Sequence, residues 1–297
     1  MMNFKSPNLA DYKDFSPFFF DEGEISCEAN FISIYVWKQI YGNEFYMDDK
    51  TLVLRSISDD ENKYVFSLPY GDLDHGMSLI FEYCKAHNIK PNLWTSQGKR
   101  FDSFIKKYDS YEIIPQRDNF DYIYNREDLV ELKGKKYHSK RNHISSFSKK
   151  YDWSYESLDE KNKAEFLAFS EKWYNDRKEN NEGLYAEKEA FAEILSSAND
   201  IDYKGGLIRV GDRIAAITIG SPINSYTYDI HYEKADIDFP TAYTVVNREF
   251  AARELQGYKY INREDDLGIE GLRKAKMSYK PEMLLEKYSM IYSGDEF

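Results

Sequence analysis

The sequence predicts an α+β fold: two tandem domains, each a mixed, largely antiparallel sheet with helices packed on it. Three observations lead there. At 297 residues the chain is about two ordinary domains long. Stretches that alternate apolar and polar residues are interleaved with stretches of helical period along its whole length. The second half runs helix, helix, three hairpin-linked strands, helix, strand, helix, strand. A boundary at residue 125 divides the chain into domains at 1–125 and 126–297.

Taken in order, residues 4–20 mix aromatics with Pro and Asp and predict a short entry helix. Ser26 is placed to cap a helix over 27–40, with Phe31, Ile34, Tyr35 and Trp37 among its apolar set. NEFYMDD, TLVLRS and KYVFSLPY predict three strands, the first two joined at Asp48–Asp49–Lys50. Asp72 or Asp74 starts a helix through His87. Asn92–Ser96 reads as strand, Lys99–Tyr108 as helix, and Tyr111–Ile114 and Phe120–Tyr124 as extended again. Asn125 to Lys136 is charged, carries Gly134, and reads as the crossover into the second half.

LKGKKYHSKRNHISSFSKKY, Leu132 to Tyr151, then predicts a helix whose apolar face is Tyr137, Ile144, Phe147 and Tyr151. Trp153–Glu156 is a strand, and Asp159–Asn175 and Ala186–Ser197 are helices. GLIRV, RIAAITIGS and SYTYDIHY form a three-strand meander with its first turn at Gly211–Asp212. Pro240 suits the first turn of a helix to Leu255, with Tyr243, Val246, Phe250 and Leu255 on its buried face. Tyr258–Ile261 is a short strand, and Glu282–Tyr292 alternates and ends the fold. This order is that of a GNAT-like (acyl-CoA N-acyltransferase-like) domain. The first half follows the same order more loosely.

Composition narrows the function. Hydrophobic residues make up 42 % and aromatics 16 %, with 26 Tyr and 19 Phe, ample material for a core. The apolar runs are only a few residues long, so no transmembrane segment is expected. MMNFKSPNLADYKDF lacks the basic start and apolar stretch of a signal peptide, and the expected location is the cytoplasm. Cys27 and Cys84 form no CxxC pair and read as buried thiols. A net charge of −12 argues against a general nucleic-acid binder but leaves room for a local basic groove. There is no CxxC, HExxH or EF-hand loop, so no metal is expected. GxGxxG, GxxxxGK[ST] and GxSxG are also absent, which removes dinucleotide, P-loop and serine-hydrolase chemistry.

Three segments hold dense polar chemistry. Leu132–Tyr151 carries seven Lys/Arg and no carboxylate, with Lys136, Lys140 and His143 in one helical row. It is either an exposed joining helix or an anchor for phosphate or carboxylate groups. YTYDIHYEK alternates, sending Tyr226, Tyr228, Ile230 and Tyr232 to one face and Thr227, Asp229, His231 and Glu233 to the other. That is either a half-exposed strand or one lining a cleft with Asp229 and His231, the latter a fair general base. NREDDLGIEGLRKAKMSYKP, from Asn262, sets Glu264, Asp265 and Asp266 before Gly268 and Gly271, then Arg273, Lys274, Lys276 and Lys280. Acid followed by base suits a helix dipole, while Arg273 and Lys276 suit a phosphate.

Together LKGKKYHSKRNHISSFSKKY, HYEKAD…FPTAYTVVNREFA and INREDDLGIEGLRKAKMSYKP resemble the bacterial family that shares the phosphatidylglycerol lysyltransferase C-terminal domain, over most of residues 120–290. Members are tandem-GNAT proteins related to Fem-type aminoacyltransferases, which move an amino acid from aminoacyl-tRNA to an amine or hydroxyl. The resemblance implies a transferase with tRNA as partner and aminoacyl-tRNA as donor, and no separate cofactor. The acceptor would be a soluble amine, or a lipid or peptidoglycan precursor at the membrane surface. It places Asp229, His231 and Glu264 in the catalytic centre, with Asp229 or Glu264 on the donor's α-ammonium and His231 as proton relay. Donor binding falls to Lys136, His138, Lys140, Arg141 and Asn142, and to Asn262, Arg263, Arg273, Lys276, Ser278 and Tyr279. Arg141 and Arg273 are expected to converge on one crevice between the two lobes. Two departures stand out: there is no membrane domain, and no R/Q-x-x-G-x-G/A loop for acetyl-CoA, for which Gly220–Ser221–Pro222 is a poor substitute. An acetyl-CoA-dependent N-acetyltransferase and a non-catalytic module binding an anionic ligand or a protein are the alternatives.

Overall fold

A computed structural model describes residues 2–20, 23–58, 63–176, 182–197 and 201–294. The first lobe comprises α1 (Tyr12–Phe20), α2 (Phe31–Val36), α3 (Lys38–Tyr41), β1 (Glu44–Met47), β2 (Thr51–Ile57), β3 (Tyr64–Ser67), β4 (Tyr70–Gly71), α4 (Leu73–His87), β5 (Leu93–Ser96), α5 (Lys99–Phe104) and β6 (Tyr111–Pro115). The chain continues through β7 (Asp121–Asn125), α6 (Arg126–Glu131), α7 (His138–Lys150), β8 (Trp153–Ser157), α8 (Lys163–Asn175), α9 (Glu182–Ser196), β9 (Lys204–Val210), β10 (Arg213–Pro222) and β11 (Thr227–Ala235). It closes with α10 (Ala242–Arg253), β12 (Tyr260–Asn262), α11 (Glu270–Met277), β13 (Met283–Leu285) and β14 (Lys287–Tyr292).

Two sheets result, in the orders β1-β2-β3-β5-β14-β6, with β4 on β2, and β13-β7-β12-β11-β10-β9-β8. Both follow one plan. A meander leads through a helix to a parallel neighbour, β3 to β5 and β11 to β12, and every other pairing is antiparallel. These are the two tandem GNAT-like units. Each sheet takes one inner strand from the other half. β7, which follows the first lobe's β6, lies between β12 and β13, and β14, the last strand, lies between β5 and β6. A single cut after residue 125 therefore does not separate the sheets. The alternating stretch Glu282–Tyr292 is two strands in two sheets rather than one.

Local chemistry explains where other elements differ from expectation. Ser26 caps only the 3-10 turn Cys27–Ala29, and Asn30, with extended backbone at φ −134°, restarts the helix by accepting from the Ile32 amide at 3.0 Å. The predicted 27–40 helix is thus broken into a turn, α2 and α3. The crossover holds a helix, α6, because Asn125 accepts from the Glu127 amide and Leu132 closes it at φ +49°. Tyr243 is 41 % exposed, while Val246, Phe250 and Leu255 are buried as the period requires. Asp72 is the cap of α4, accepting from the His75 amide.

The largest apolar cluster unites the lobes. Phe15, Phe31, Tyr35 and Phe45 pack in one body with Phe166, Phe191, Ile217, Ile219 and Tyr232. Burial on that scale, at about 1.5–3 kcal/mol per large side chain, holds the halves together. Among the described residues no helix is long and apolar enough to cross a membrane.

Candidate functional site

β11 and β12 run side by side only over Thr227–Asp229 and Tyr260–Asn262. β11 continues to Ala235 while the chain turns away after Asn262, so the parallel pair opens at its carboxyl ends. That is where open parallel sheets receive ligands. On β11 the pairing to β10 skips a residue: Tyr232 lies opposite Ile219, and Ile230 opposite Gly220. His231 is the extra residue of a bulge, which re-aims side chains. A Cβ at Gly220 would run into the Asp229 carbonyl, so this close approach requires glycine. The bulge breaks the alternation expected from the sequence. Tyr228 and Ile230 pack with Phe250 of α10, but Tyr232 packs on Phe191 of α9, and Glu233 now reaches α10 through Asn247 at 3.0 Å.

An acidic cluster sits where the first lobe meets this opening. His231 Nδ1 lies 3.4 Å from Glu264 Oε1 and 3.7 Å from Asp229 Oδ2. Ser33 of α2 is 3.4 Å from the same Asp229 oxygen, and His231 Nε2 is 2.8 Å from Ser221 Oγ. Asn30 holds Ser221 in turn. Asp229 is fully buried, and its Oδ1 has no hydrogen-bond partner among the described residues. Burial, then the nearby Glu264 and Asp121, push its pKa well above the usual carboxylate range. Glu264, at φ +54°, is the most exposed of the three, at 22 % of its side chain, and its amide donates to Asn262 Oδ1 at 2.7 Å. Burial, with Asp121 and Glu264 adding to it against Lys287, lifts Asp265 to about 6.

Behind this cluster Asp121 of β7 meets Lys287 of β14 at 2.8 Å, both buried. Cys27 and Asn262 also donate to Asp121. Burial works against both charges, but each holds the other ionised: Asp121 is lowered and Lys287 raised.

A cationic cluster lies on the α10 side of the same opening. Arg263 pairs with Glu233 and lies over the rings of Tyr124 and Tyr279. Lys140 of α7 sits 3.6 Å above the Tyr279 ring and makes no hydrogen bond or ion pair among the described residues. Burial, then the Arg263 charge, bring its pKa down to about 8. Arg263 Nη1, Asn247 Oδ1 and Thr218 Oγ1 are buried without hydrogen-bond partners among the described residues. Groups of that kind are normally satisfied, so together they mark room for a ligand or water.

Of the residues singled out from the sequence, Asp229, His231 and Glu264 meet in the first cluster, and Lys140, Arg263 and Tyr279 in the second. Asn262 lies at the fork, bonded to Asp121 and to the Ile25 carbonyl. Lys276 donates to the Arg263 and Asp265 carbonyls and so shapes the fork rather than facing a ligand. The others are engaged elsewhere. Lys136 pairs with Asp128, and Arg141 donates to the Leu132 and Gly134 carbonyls. His138 and Asn142 contact each other on the exposed side of α7, and Ser278 bonds the Ala275 carbonyl. Arg273 is held by Asp266 and Asp118. The expected convergence of Arg141 with Arg273 is replaced by that of Lys140 with Arg263, because carbonyls and carboxylates nearer in sequence claim the other two guanidinium groups. Sequence reasoning missed Asn247, Thr218, Ser33, Asn30 and Lys287. Asn247 lies within the second motif without being singled out there, the other four lie outside all three, and only the fold brings them there.

Comparison with known proteins follows the same lines. A sequence model of the family described as phosphatidylglycerol lysyltransferase, C-terminal, matches residues 23–291. A conserved protein of unknown function from Bacteroides thetaiotaomicron superposes with TM-score 0.86 at 33 % identity, over 98 % of this chain and 100 % of that one. L-PGS from Bacillus licheniformis superposes with TM-score 0.64 at 14 % identity, over 99 % and 94 %, a likeness of fold. An uncharacterised protein of Mycoplasmoides gallisepticum is 26 % identical over 184 residues, covering 61 % of this chain and 58 % of that protein's length.

Proposed function

Because the chain belongs to the phosphatidylglycerol lysyltransferase C-terminal family, we propose that it is an acyltransferase that moves an aminoacyl group from aminoacyl-tRNA to an amine or hydroxyl. The observation that carries this reading is the pairing of two oppositely charged clusters at one opening. On one side stand Lys140, which makes no hydrogen bond or ion pair among the described residues, and a buried guanidinium nitrogen of Arg263 with no hydrogen-bond partner among them. An acidic cluster with the unpaired Asp229 oxygen stands on the other. An aminoacyl ester has that polarity, anionic phosphates at one end and an α-ammonium at the other.

In this reading Lys140 and Arg263 hold the terminal phosphates, and Glu264, backed by Asp229, receives the α-ammonium. The acceptor attacks the ester carbonyl, a bond from its nitrogen or oxygen to the acyl carbon forms, and the bond to the ribose oxygen breaks. His231 takes the acceptor's proton and returns it to the leaving ribose hydroxyl. The ester is already activated, so holding the reactants in place supplies much of the rate. The acceptor class, a soluble amine or a lipid or peptidoglycan precursor at a membrane surface, follows from the family alone.

The test is a gel-shift titration with charged and uncharged tRNA at several salt concentrations, followed by transfer of a labelled amino acid. Binding of charged tRNA that weakens linearly in log salt is expected. No binding at low ionic strength removes the donor, and micromolar acetyl-CoA binding in its place would move the protein to the N-acetyltransferases.

A further inference from the structure

We propose that Asp229, His231 and Glu264 form a binding site for one first-row divalent cation of the zinc or manganese kind. Their ligand atoms, one imidazole nitrogen and one oxygen from each carboxylate, all lie within 4.8 Å of one another. The orientation is built by the surroundings. In the tautomer with the Ser221 hydroxyl proton on Asn30 Oδ1 (3.1 Å), Ser221 Oγ accepts from His231 Nε2 (2.8 Å); in the other, Asn30 Nδ2 donates to Ser221 (2.8 Å) and an incoming ion displaces the Nδ1 proton. In the first Nδ1 is the bare nitrogen, and in both it faces two carboxylates. Holding the outer ring nitrogen in this way is how proteins fix a metal-binding imidazole.

The two spacings from the imidazole nitrogen fit an ion, and the two carboxylate oxygens, within 4.8 Å of each other, would close in on it. Distances of 3.4 and 3.7 Å from Nδ1 to the two carboxylate oxygens are longer than a good hydrogen bond of about 2.7–3.2 Å. Ligands about 2.1 Å from a tetrahedral centre stand about 3.4 Å apart. Asp229 adds a second sign: its Oδ2 faces Nδ1 at 3.7 Å, and its Oδ1 is buried without a hydrogen-bond partner among the described residues. Two carboxylates and a neutral imidazole carry charge −2, matching a divalent ion. One nitrogen among oxygens favours zinc or manganese over calcium. Ser33 Oγ, 3.5 Å from Nδ1, stands at the fourth side. The sequence hides the site because its ligands come from a bulged strand and from the chain beyond another strand, outside any metal motif.

The inference goes beyond the donor reading and does not rest on it. Ion and α-ammonium would use the same carboxylates, so a loaded site lowers transfer while tRNA binding through Lys140 persists.

The experiment dialyses the full chain against a chelator, then titrates Zn²⁺ by calorimetry and Co²⁺ by visible absorption. One ion per chain is expected, with cobalt bands of a nitrogen–oxygen site and a raised melting temperature. Glu264→Gln and His231→Ala should each weaken binding at least tenfold, and Ser221→Ala, which frees the outer ring nitrogen and the Asn30 amide but removes no ligand, about tenfold. His87→Ala, remote from the cluster, should bind as the parent does. Glu264→Gln changes a partly exposed group, so its fold, checked by melting without metal, keeps the comparison valid. No stoichiometric uptake, or uptake untouched by Glu264→Gln and His231→Ala, overturns the site. Histidine NMR showing His231 with both ring nitrogens protonated in the free chain, together with no uptake, assigns the cluster to an ion pair instead. Loss of tRNA binding with zinc uptake intact would remove the donor reading and leave this one.

Discussion

At the same place in each sheet a helix carries the chain from one strand to its parallel neighbour: α4 from β3 to β5, α10 from β11 to β12. In the first lobe that junction is sealed. Phe66 pairs with Leu93, the Leu68 amide extends the ladder to the Trp94 carbonyl, and all three apolar side chains are buried with Met77, Ile80 and Phe104. In the second lobe the equivalent strands separate, β11 bulges at His231, and the gap is lined by Asp229, His231 and Glu233 facing Arg263 and Glu264. One backbone plan serves as filler in one lobe and as a chemical site in the other. The bulge and the gathering of several unpaired buried polar atoms distinguish the second lobe from the first, where Tyr111 Oη is the one such atom among the described residues, and such atoms oppose stability wherever they serve no ligand.

The largest effect should come from the pair that ties the exchanged strands. Lys287→Ala leaves Asp121 buried and unpaired, and urea unfolding should show a loss of about 3–5 kcal/mol, whereas Lys287→Met with Asp121→Asn costs less than either single change. The contrast between junctions predicts a crossed result for two further variants. Phe66→Ala should lose about 3–5 kcal/mol while activity per folded molecule is kept. Asp229→Asn should leave stability within about 1 kcal/mol and abolish transfer. If both variants behave alike, the two junctions do not differ in role.

Lys140→Ala should weaken donor binding evenly across tRNAs and lower the slope of log affinity against log salt by about one. The smallest effect is in pH. The Lys140 amine is brought down to about 8, so its charge, and with it donor affinity, falls as pH rises through 8, which affinities measured from pH 7 to 9 would register. A bound anion restores the charge, so binding near pH 8.5 should take up protons, read by calorimetry in buffers of different ionisation enthalpy. In the free chain the same depressed value makes folding less favourable below pH 8 than above 10.5.

Much of this was legible in the residues. Period and turn chemistry located α4 and the meander, since Asp72 and Gly211 act through their nearest neighbours, and period located α10, though Pro240 lies two residues before its first residue, Ala242, rather than in its first turn. The same local rules failed where a distant contact decides. Asn30 restarts a helix that Ser26 was expected to carry through, and it also reaches Ser221 of the other lobe. The motifs named Asp229, His231, Glu264, Lys140 and Arg263, but not which basic residues face the opening. Arg141 and Lys140 are adjacent in sequence, and only packing against Tyr279 separates them. The strand exchange had no local signal at all, because Met283–Leu285 and Lys287–Tyr292 read as one alternating run.

That exchange constrains how the molecule is made. As the chain leaves the ribosome, β5 and β6 emerge early and wait for β14, which arrives only after the whole of the second half has been synthesised. The amino-terminal half cannot finish its sheet in the meantime, and its open strand edges need protection from aggregation until release. Neither half expressed alone contains a complete sheet, so co-expressed fragments split near residue 130 should recover a soluble protein only together.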